Sequence, residues 1–352
     1  MTHRIAVVPG DGIGVEVTKE AVRVLEAVRP KLRAPVELVH FDWGAERWLK
    51  DKTTLPVGAA EDLAQIYQAI LFGAVGDPRV PEQVHARDIL LGLRSKLDLY
   101  INLRPVRLLH ERLTPLKGKT TSDIDMLVFR ENTEGLYAGI GGNFKKDTPD
   151  EIAINEDLNT RKGVERILRA AFEAARARRK KLCMSDKANA LTFAHGLWQR
   201  TWKAVAKDYP DVETNHLYVD VAAMEMVRAP ERFDVIVTSN MFGDILTDLG
   251  AAIVGGLGLA GSGNINPGRC SLFEPVHGSA PDITGKGIAN PLGSISSMAM
   301  MLTHLGEPAA AALVDSVVAR VVQSGQVTRD LGGSLSTEAC GKLVADGVAQ
   351  AA

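Results

Sequence analysis

The stretch Phe233-Asp-Val-Ile-Val-Thr-Ser239, followed directly by Asn240-Met-Phe-Gly-Asp-Ile-Leu-Thr-Asp248, decides the fold. Its first part is a continuous apolar run that predicts a buried strand, and its second part predicts a helix beginning at Asn240. The four-residue spacing brings Asp244 and Asp248 onto one face of that helix, about 5–6 Å apart. The two carboxylates therefore predict a place where a divalent cation is held.

A third aspartate strengthens this interpretation. Asp220 follows another short apolar stretch, Leu217-Tyr-Val-Asp220. Three carboxylates from two strand ends form an oxygen ligand set that suits Mg²⁺ or Mn²⁺. For an isolated pair of aspartates, the better interpretation is that they bind no metal: one supports the first helical turn and the other is solvated. The third carboxylate favours metal binding.

Composition excludes several classes of protein. The chain has 352 residues, which predicts two domains or one large α/β unit. Its apolar content of 45% and charged content of 24% are those of an ordinary soluble globular protein. A formal net charge of −2 gives no attraction of the whole protein to nucleic acid or to an anionic membrane. The basic run at residues 176–181 is too short to reverse this.

Cysteine usage and the N-terminal sequence indicate a compartment. The three cysteines are far apart in the chain, and their spacing is not that of a metal site. Residues 4–8 form a strand-like run without the core of a signal peptide, and no stretch of 18 apolar residues occurs. We therefore expect a cytoplasmic protein.

Strand-like runs alternate with amphipathic helical stretches, as in residues 5–8, 15–28 and 69–72. This alternation predicts an α/β protein with a largely parallel sheet. The alternation of strand-like and helical stretches is interrupted after Gly135, and a segment near residues 138–158 has the pattern of a hairpin. Such a hairpin cannot bury itself alone, which predicts an arm that pairs with another subunit.

Two glycine-rich segments are candidates for binding a nucleotide. The first, Pro9-Gly-Asp-Gly-Ile-Gly14, lacks the G-x-G-x-x-G spacing, so on spacing alone it predicts a tight turn from strand to helix. The second is Glu274-Pro-Val-His-Gly-Ser-Ala-Pro-Asp282, whose backbone amides at residues 278–280 predict a phosphate cradle. Asp282 would accept hydrogen bonds from a ribose. This acid disfavours a 2′-phosphate, which points to NAD rather than NADP.

Three arginines and two further side chains complete the candidate site. Arg94, Arg104 and Arg130 are flanked by apolar residues and predict a carboxylate clamp, because a planar guanidinium binds a carboxylate in bidentate fashion. Tyr137 and Lys187 are two groups that exchange protons when their pKa values are tuned. Each of these residues alone is more often a surface charge or a core ring, so the prediction depends on their occurring together.

Together these motifs resemble those of the β-decarboxylating dehydrogenases, a family that includes isopropylmalate, isocitrate, homoisocitrate and tartrate/D-malate dehydrogenases. The resemblance covers essentially the whole chain and is most specific at residues 130–137, 186–189, 240–248 and 274–282. It implies an isopropylmalate/isocitrate dehydrogenase-like, non-Rossmann α/β fold of two domains with a cleft between them. Residues 1–101 and 255–352 would form the large nucleotide-binding domain, and residues 102–254 the small domain that carries substrate and metal residues.

The resemblance also implies residue roles and an assembly. It implies an obligate homodimer with shared active sites, in which Lys187 and Asp220 reach into the partner's site. Lys187, with Asp220, would take the proton of the substrate hydroxyl as hydride leaves C2 for NAD, and Tyr137 would protonate the enol left after loss of CO₂. The divalent ion would be bound by Asp220, Asp244 and Asp248. NAD would be bound by Ile13, His277, Gly278, Ser279, Ala280, Asp282 and Asn290.

The resemblance implies a 2-hydroxy diacid as substrate, and the helix before Arg94 is where the choice among such diacids is expected to be made. Leu90 and Leu91 offer an apolar wall suited to an isopropyl group, which favours 3-isopropylmalate and hence leucine synthesis. Arg87 stands where leucine-pathway enzymes commonly carry an acid, and residues 80–84 and 102–107 resemble D-malate or tartrate dehydrogenase. Residues 130–135 resemble the isocitrate, homoisocitrate and tartrate branches, so all of these activities are alternatives. A non-catalytic nucleotide- or metal-binding protein is disfavoured, because every candidate catalytic side chain is present.

Overall fold

The computed structural model describes residues 2–351, which fold into two compact units. The first unit contains residues 2–99, 107–121 and 251–351, and the second contains residues 100–106 and 122–250. Among the described residues, no helix is both long enough and apolar enough to cross a membrane.

The strands and helices are numbered in chain order. The first unit begins with β1 (His3–Gly10), α1 (Ile13–Val28), β2 (Val36–His40), α2 (Ala45–Asp51), α3 (Ala59–Ile66), β3 (Ala69–Ala74), α4 (Val84–Ala86) and α5 (Gly92–Lys96). The elements that build the second unit are β4 (Ile101–Arg107), β5 (Asp125–Glu131), β6 (Gly141–Phe144), β7 (Ile152–Asn155), α6 (Arg161–Arg176), β8 (Lys181–Asp186), α7 (Ala194–Val205), β9 (Glu213–Tyr218), α8 (Val219–Arg228), β10 (Val235–Thr238) and α9 (Asn240–Val254). The chain ends with β11 (Gly261–Ile265), β12 (Ser271–Pro275), α10 (Leu292–His304), α11 (Pro308–Ser324) and α12 (Thr337–Gln350).

The sheet of the first unit has the strand order β2-β1-β3-β12-β11. The first four strands are parallel, and β11 is antiparallel to β12. Side chains alternate between the faces of a strand, so Ile5 and Val7 of β1 pack into one core with α1, α10, α11 and α12, whereas Ala6 and Val8 pack into a second core. Both faces of β1 are therefore covered, which explains its continuous apolar run.

The second unit has the strand order β4-β5-β10-β8-β9. Strands β5, β10, β8 and β9 are parallel, so their carboxyl ends lie along one edge of the sheet. Helix α6 covers a face with Val164, Ile167, Leu168 and Ala171, which recur at helical spacing and are fully buried. The strand at β10 and the helix beginning at Asn240 agree with the sequence prediction.

Strands β6 and β7 form the hairpin that the sequence predicts after Gly135. They pair antiparallel, with Gly141 opposite Asn155 and Phe144 opposite Ile152. All eight strand residues are exposed, including Phe144 at 60% and Ile152 at 53%. That this hairpin pairs with a second subunit remains a prediction.

The unit boundaries differ from those expected from the sequence, chiefly at residues 107–121. The expectation assigned these residues to the small domain, whereas they lie in the first unit. Leu109 and Leu113 pack against its apolar core, and Arg112 donates hydrogen bonds to the backbone oxygens of Leu331 (2.8 Å) and Val322 (2.6 Å). The remaining borders fall at residues 99/100 and 250/251 rather than 101/102 and 254/255.

We predict that Gly73→Ala destabilises the protein, because a Cβ at Gly73 would lie 2.1 Å from the backbone oxygen of Pro9. Relief requires the backbone to move, at a cost of about 1–3 kcal/mol in the free energy of unfolding. Gly92→Ala is the matched control, since nothing lies within 4 Å of its Cβ position and the residue is helical. Urea denaturation measures both, and equal midpoints for the two variants would contradict the prediction.

Candidate active site

Arg130 organises the carboxyl edge of the second unit's sheet. It is the penultimate residue of β5 and is only 2% exposed. Its Nε donates to Asn240 Oδ1 (2.9 Å), and its Nη1 donates to the carboxylate of Asp244. The guanidinium carbon lies 5.2 Å from the ring centroid of Tyr137, whose hydroxyl donates to Asp244 Oδ2 (2.9 Å). One buried cation therefore positions both the predicted acid of α9 and the predicted proton donor.

Gly243 explains how α9 packs against this arginine. A Cβ at residue 243 would lie 2.5 Å from Arg130 Cγ and 2.6 Å from its Cβ. Any larger residue would push the helix away from the guanidinium stem. The glycine in the Asn240–Asp248 motif is thus a packing requirement, and it keeps Asn240 and Asp244 within reach of Arg130.

Arg104 in β4 contacts the same helix. Its Nη1 donates to Thr247 Oγ1 (2.6 Å) and lies 3.6 Å from Asp248 Oδ1, and its Nη2 lies 3.5 Å from Asp244 Oδ1. Arg104 is 7% exposed, so both guanidinium groups are buried. Two arginines facing two aspartates nearly balance in charge, which stabilises the buried cations.

The environment pushes the pKa values of the two aspartates apart. Burial raises the pKa of Asp244, but Arg130, Arg104 and the Tyr137 hydroxyl outweigh it, so its pKa lies below the ordinary value. Burial and the charge of Asp244 raise the pKa of Asp248. Burial and the Asp244 carboxylate also raise the pKa of Tyr137, so the phenol keeps its proton at neutral pH. A group that is to donate a proton must hold one.

Lys187 and Asp220 form a pair within the chain. Lys187 follows β8 and its Nζ donates to Asp220 Oδ1 (2.5 Å), and Asp220 lies in the first turn of α8. The hydrogen bond from Lys187 lowers the pKa of Asp220. The two residues predicted to act together in proton removal are therefore in contact.

The predicted metal ligands lie in two places. Asp244 and Asp248 share a face of α9, whereas Asp220 contacts Lys187. Within residues 2–351, no group of three histidine, cysteine, aspartate or glutamate side chains converges as a metal site does. The donors are all carboxylate oxygens, the chemistry that Mg²⁺ and Mn²⁺ prefer, and the side chain of Asp248 is 56% exposed. A third ligand from a second chain remains a prediction.

The two glycine-rich segments pack together in the first unit. Ile13 N donates to the backbone oxygen of Ser279 (2.9 Å), and a Cβ at Gly12, whose φ is +57°, would lie 2.2 Å from that oxygen. A cavity of about 550 Å³ is lined by residues from both segments, among them Gly10, Gly12 and Pro281, and by Gly285 just after the second. Residues 9–14 fail the dinucleotide spacing but still form one wall of this cavity, a position that no local signal reveals.

The remaining candidate cofactor residues differ in environment. His277 Nδ1 lies 2.9 Å from the backbone oxygen of Gly278, so Nδ1 carries the proton, and the buried Nε2 has no hydrogen-bond partner among the described residues. Burial lowers the pKa of His277, which keeps this acceptor available. Asn290 is buried and bonded at both ends, to Asp330 Oδ2 (2.9 Å) and Leu292 N (3.0 Å). Asp282 is exposed.

The predicted substrate residues of the first unit lie on one helical segment. Leu90 and Leu91 end a π-helical turn, Arg87–Leu91, a distortion that is frequent at functional sites. Leu91 is 37% exposed, whereas Leu90 packs partly against an apolar core. Arg94 Nη2 donates to Glu274 Oε1 (2.8 Å), which also accepts from Asn264 Nδ2 (2.8 Å). The sequence analysis did not predict that Arg94 pairs with Glu274.

Comparison with solved structures identifies the class of protein. The crystal structure of isocitrate dehydrogenase from Methylococcus capsulatus matches with a TM-score of 0.89 at 40% identity, over 99% of this chain and 100% of that chain. A β-decarboxylating dehydrogenase from Thermococcus kodakarensis matches with a TM-score of 0.81 at 36% identity, over 98% and 96%. The architecture is that of a decarboxylating dehydrogenase.

The chain belongs to the isocitrate/isopropylmalate dehydrogenase family, whose model matches residues 4–344. The 3-isopropylmalate dehydrogenase of Thermobifida fusca is 51% identical over 352 residues, covering 99% of this chain and 98% of that protein. That of Mycobacterium tuberculosis H37Rv is 51% identical over 317 residues, covering 90% and 92%. The predicted family, fold and enzyme class are confirmed.

We predict that Asp248→Asn weakens Mn²⁺ binding at least about 10-fold, since even partners of metal ligands contribute that much to affinity. The change removes the more exposed of the two charged oxygen donors on α9. Calorimetric titration with Mn²⁺ measures it, with Asp211→Asn, an exposed acid paired with Arg176, as the control. Unchanged affinity in Asp248→Asn would remove this residue from the metal site.

Proposed function

We propose that the chain catalyses the NAD- and divalent-metal-dependent oxidative decarboxylation of (2R,3S)-3-isopropylmalate to 4-methyl-2-oxopentanoate and CO₂, a step of leucine biosynthesis. The observation that carries the proposal is the edge where parallel strands end. There Lys187 contacts Asp220 (2.5 Å), and Tyr137 contacts Asp244 (2.9 Å). The names of relatives at about 51% identity support the choice of substrate.

The chain's own residues divide the chemistry. Lys187, as the neutral amine, would accept the proton of the C2 hydroxyl while hydride passes to NAD, and Asp220 would stabilise the ammonium that results. Tyr137, protonated at neutral pH, would return a proton to the enol after CO₂ has left. Arg94, Arg104 and Arg130 would orient the two carboxylates. A divalent ion on Asp244, Asp248 and Asp220 would supply the positive charge that favours loss of the hydroxyl proton.

The first unit would hold NAD at its paired glycine-rich segments. Residues 278–280 would approach the dinucleotide with backbone groups, Ile13 would support them through its hydrogen bond to Ser279, and the acceptor Nε2 of His277 would bind a donor on the dinucleotide. The exposed Asp282 would bind the ribose and disfavour a 2′-phosphate. Asn290 would support the NAD site indirectly, because its side-chain amide already forms hydrogen bonds with Asp330 and Leu292.

We further propose that the chain forms a homodimer with shared active sites. We also propose that this dimer is cytoplasmic. Within residues 2–351, no hydrogen bond or ion pair joins Lys187 or Asp220 to Asp244 or Asp248, which supports their acting in a second chain's site. The exposed hairpin of β6 and β7 offers an edge for pairing. Free, buried cysteines suit a reducing compartment.

D-malate or tartrate dehydrogenase activity is the second candidate, favoured by residues 80–84 and 102–107. Isocitrate activity is a further alternative, since a structural relative at 40% identity bears that name. All of these retain the same metal, hydride and decarboxylation chemistry, so they differ only in how the substrate's third group is bound.

We predict that, with NAD and Mn²⁺, 3-isopropylmalate gives the highest kcat/KM in a panel with D-malate, tartrate, isocitrate and homoisocitrate. One apolar group in a pocket contributes about 1–3 kcal/mol, so its lead over D-malate should be roughly 10- to 200-fold. Leu91→Ser should lower kcat/KM for 3-isopropylmalate, and so reduce that lead, while kcat/KM for D-malate stays unchanged. A lead by D-malate or tartrate would show that the Leu90/Leu91 argument is wrong.

We predict that Lys187→Met lowers kcat at least about 100-fold, the usual contribution of a positioned acid–base group, with little change in NAD affinity. Lys203→Met, an exposed lysine of α7, is the control. Mixing Lys187→Met and Tyr137→Phe subunits should restore activity if each site takes these groups from different chains. Near-normal turnover by Lys187→Met would remove the lysine from the mechanism, and failure of the mixture would contradict shared sites.

A further inference from the structure

The backbone of Lys187 is fixed by hydrogen bonds at both its N–H and its carbonyl oxygen. Its backbone N–H donates to His195 Nδ1 (3.0 Å), and its backbone oxygen accepts from Ala190 N (2.9 Å) and Leu191 N (2.8 Å). The next amide, Ala188 N, donates to Asp186 Oδ1 (3.0 Å). Because the backbone is fixed in this way, the Cα–Cβ bond of Lys187 has a defined position and direction although the residue lies in a loop.

The hydrogen bond from Lys187 also determines the tautomer of His195. Because Nδ1 accepts a backbone N–H, it carries no proton, so the ring proton is on Nε2. His195 is 1% exposed, and its Nε2 lies 3.6 Å from Asp157 Oδ2. The pKa of Asp157 lies below the ordinary value, chiefly through the His195 ring and with help from Asn159, while burial opposes the shift. A carboxylate therefore faces the ring N–H and orients it.

Asp157 is itself fixed from the other side. Asn159 Nδ2 donates to Asp157 Oδ1 (2.9 Å), and Asn159 Oδ1 accepts from Trp198 Nε1 (2.8 Å). Trp198 is fully buried in α7, one turn after His195. The network thus begins in the rigid core of α7 and ends at the backbone of Lys187.

We propose that His195, oriented by Asp157, is a positioning residue for the reaction. It holds the Lys187 peptide so that Nζ lies where the substrate proton is removed. The inference deepens the proposed function and rests on its assignment of Lys187. His195 touches the lysine only through its backbone, so its loss should affect the proton-transfer step more than the binding of substrate or NAD.

The expected result is a split between kcat and KM. His195→Leu keeps the apolar volume but removes the acceptor, and it should lower kcat roughly 10- to 100-fold, the cost of a small misplacement of a catalytic group. KM for 3-isopropylmalate and for NAD should stay within about threefold, as for a group used only in the transition state. His195→Asn should recover most of kcat, because its Oδ1 can take the place of Nδ1. Asp157→Asn should give a smaller loss.

A second readout does not depend on turnover. Hydrogen exchange at the amides of residues 187–191, followed by mass spectrometry, should be faster in His195→Leu than in the unmodified enzyme and should return toward normal in His195→Asn. His304→Leu, which removes a histidine whose Nε2 lies 3.1 Å from the backbone oxygen of Arg269 and whose ring lies 5.5 Å from that of Phe273, is the control and should change neither exchange nor kcat.

Two outcomes overturn the inference. One is His195→Leu with kcat and exchange within twofold of the unmodified enzyme, and the other is His195→Asn as impaired as His195→Leu. Should His195→Leu fail to fold, Asp157→Asn decides the matter: kcat and exchange at residues 187–191 both within twofold of the unmodified enzyme would overturn the inference. Failure of the proposed function is distinct, since it would appear as full activity in Lys187→Met or no turnover of any diacid, with the exchange measurement still reporting on His195.

Discussion

A buried guanidinium is costly unless every side of it is compensated, and the second unit is arranged around that requirement at Arg130. Asn240 and Asp244 take its donors, Tyr137 covers its face, and Gly243 leaves room for its stem. The start of α9, the phenol and the first acid therefore cannot move independently. Their geometry is set in advance of any ligand, which is the condition for electrostatic catalysis.

Parallel pairing extends this constraint along the sheet. Strands β5, β10, β8 and β9 point the same way, so each delivers its following residues to one edge. The side chains at this edge form pairs of opposite charge: Arg130 with Asp244, and Lys187 with Asp220. Pairing each charge with a counter-charge keeps the edge stable while leaving several groups able to exchange protons or bind cations.

The sequence allowed much of this site to be predicted, because strand-to-helix transitions have a clear periodicity. Asp244, Lys187 and Tyr137 lie at such transitions or just after them, where local pattern is informative. Their partners could not be predicted, since the pairing of Arg130 with α9 depends on β5 lying beside β10, a contact between residues about a hundred positions apart. The place of residues 107–121 in the first unit could not be predicted for the same reason: a few apolar side chains and one arginine connect them to distant parts of the chain.

The exposed hairpin of β6 and β7 has a consequence for the newly made chain. It presents Phe144, Ile152 and Ile154 together with unpaired backbone edges, the features that promote adhesion between unfinished molecules. Until another surface covers it, we expect the folded single chain to be prone to aggregation and to capture by chaperones. The interval between synthesis and assembly, rather than the stability of the finished fold, would then limit how much of this protein a cell can accumulate.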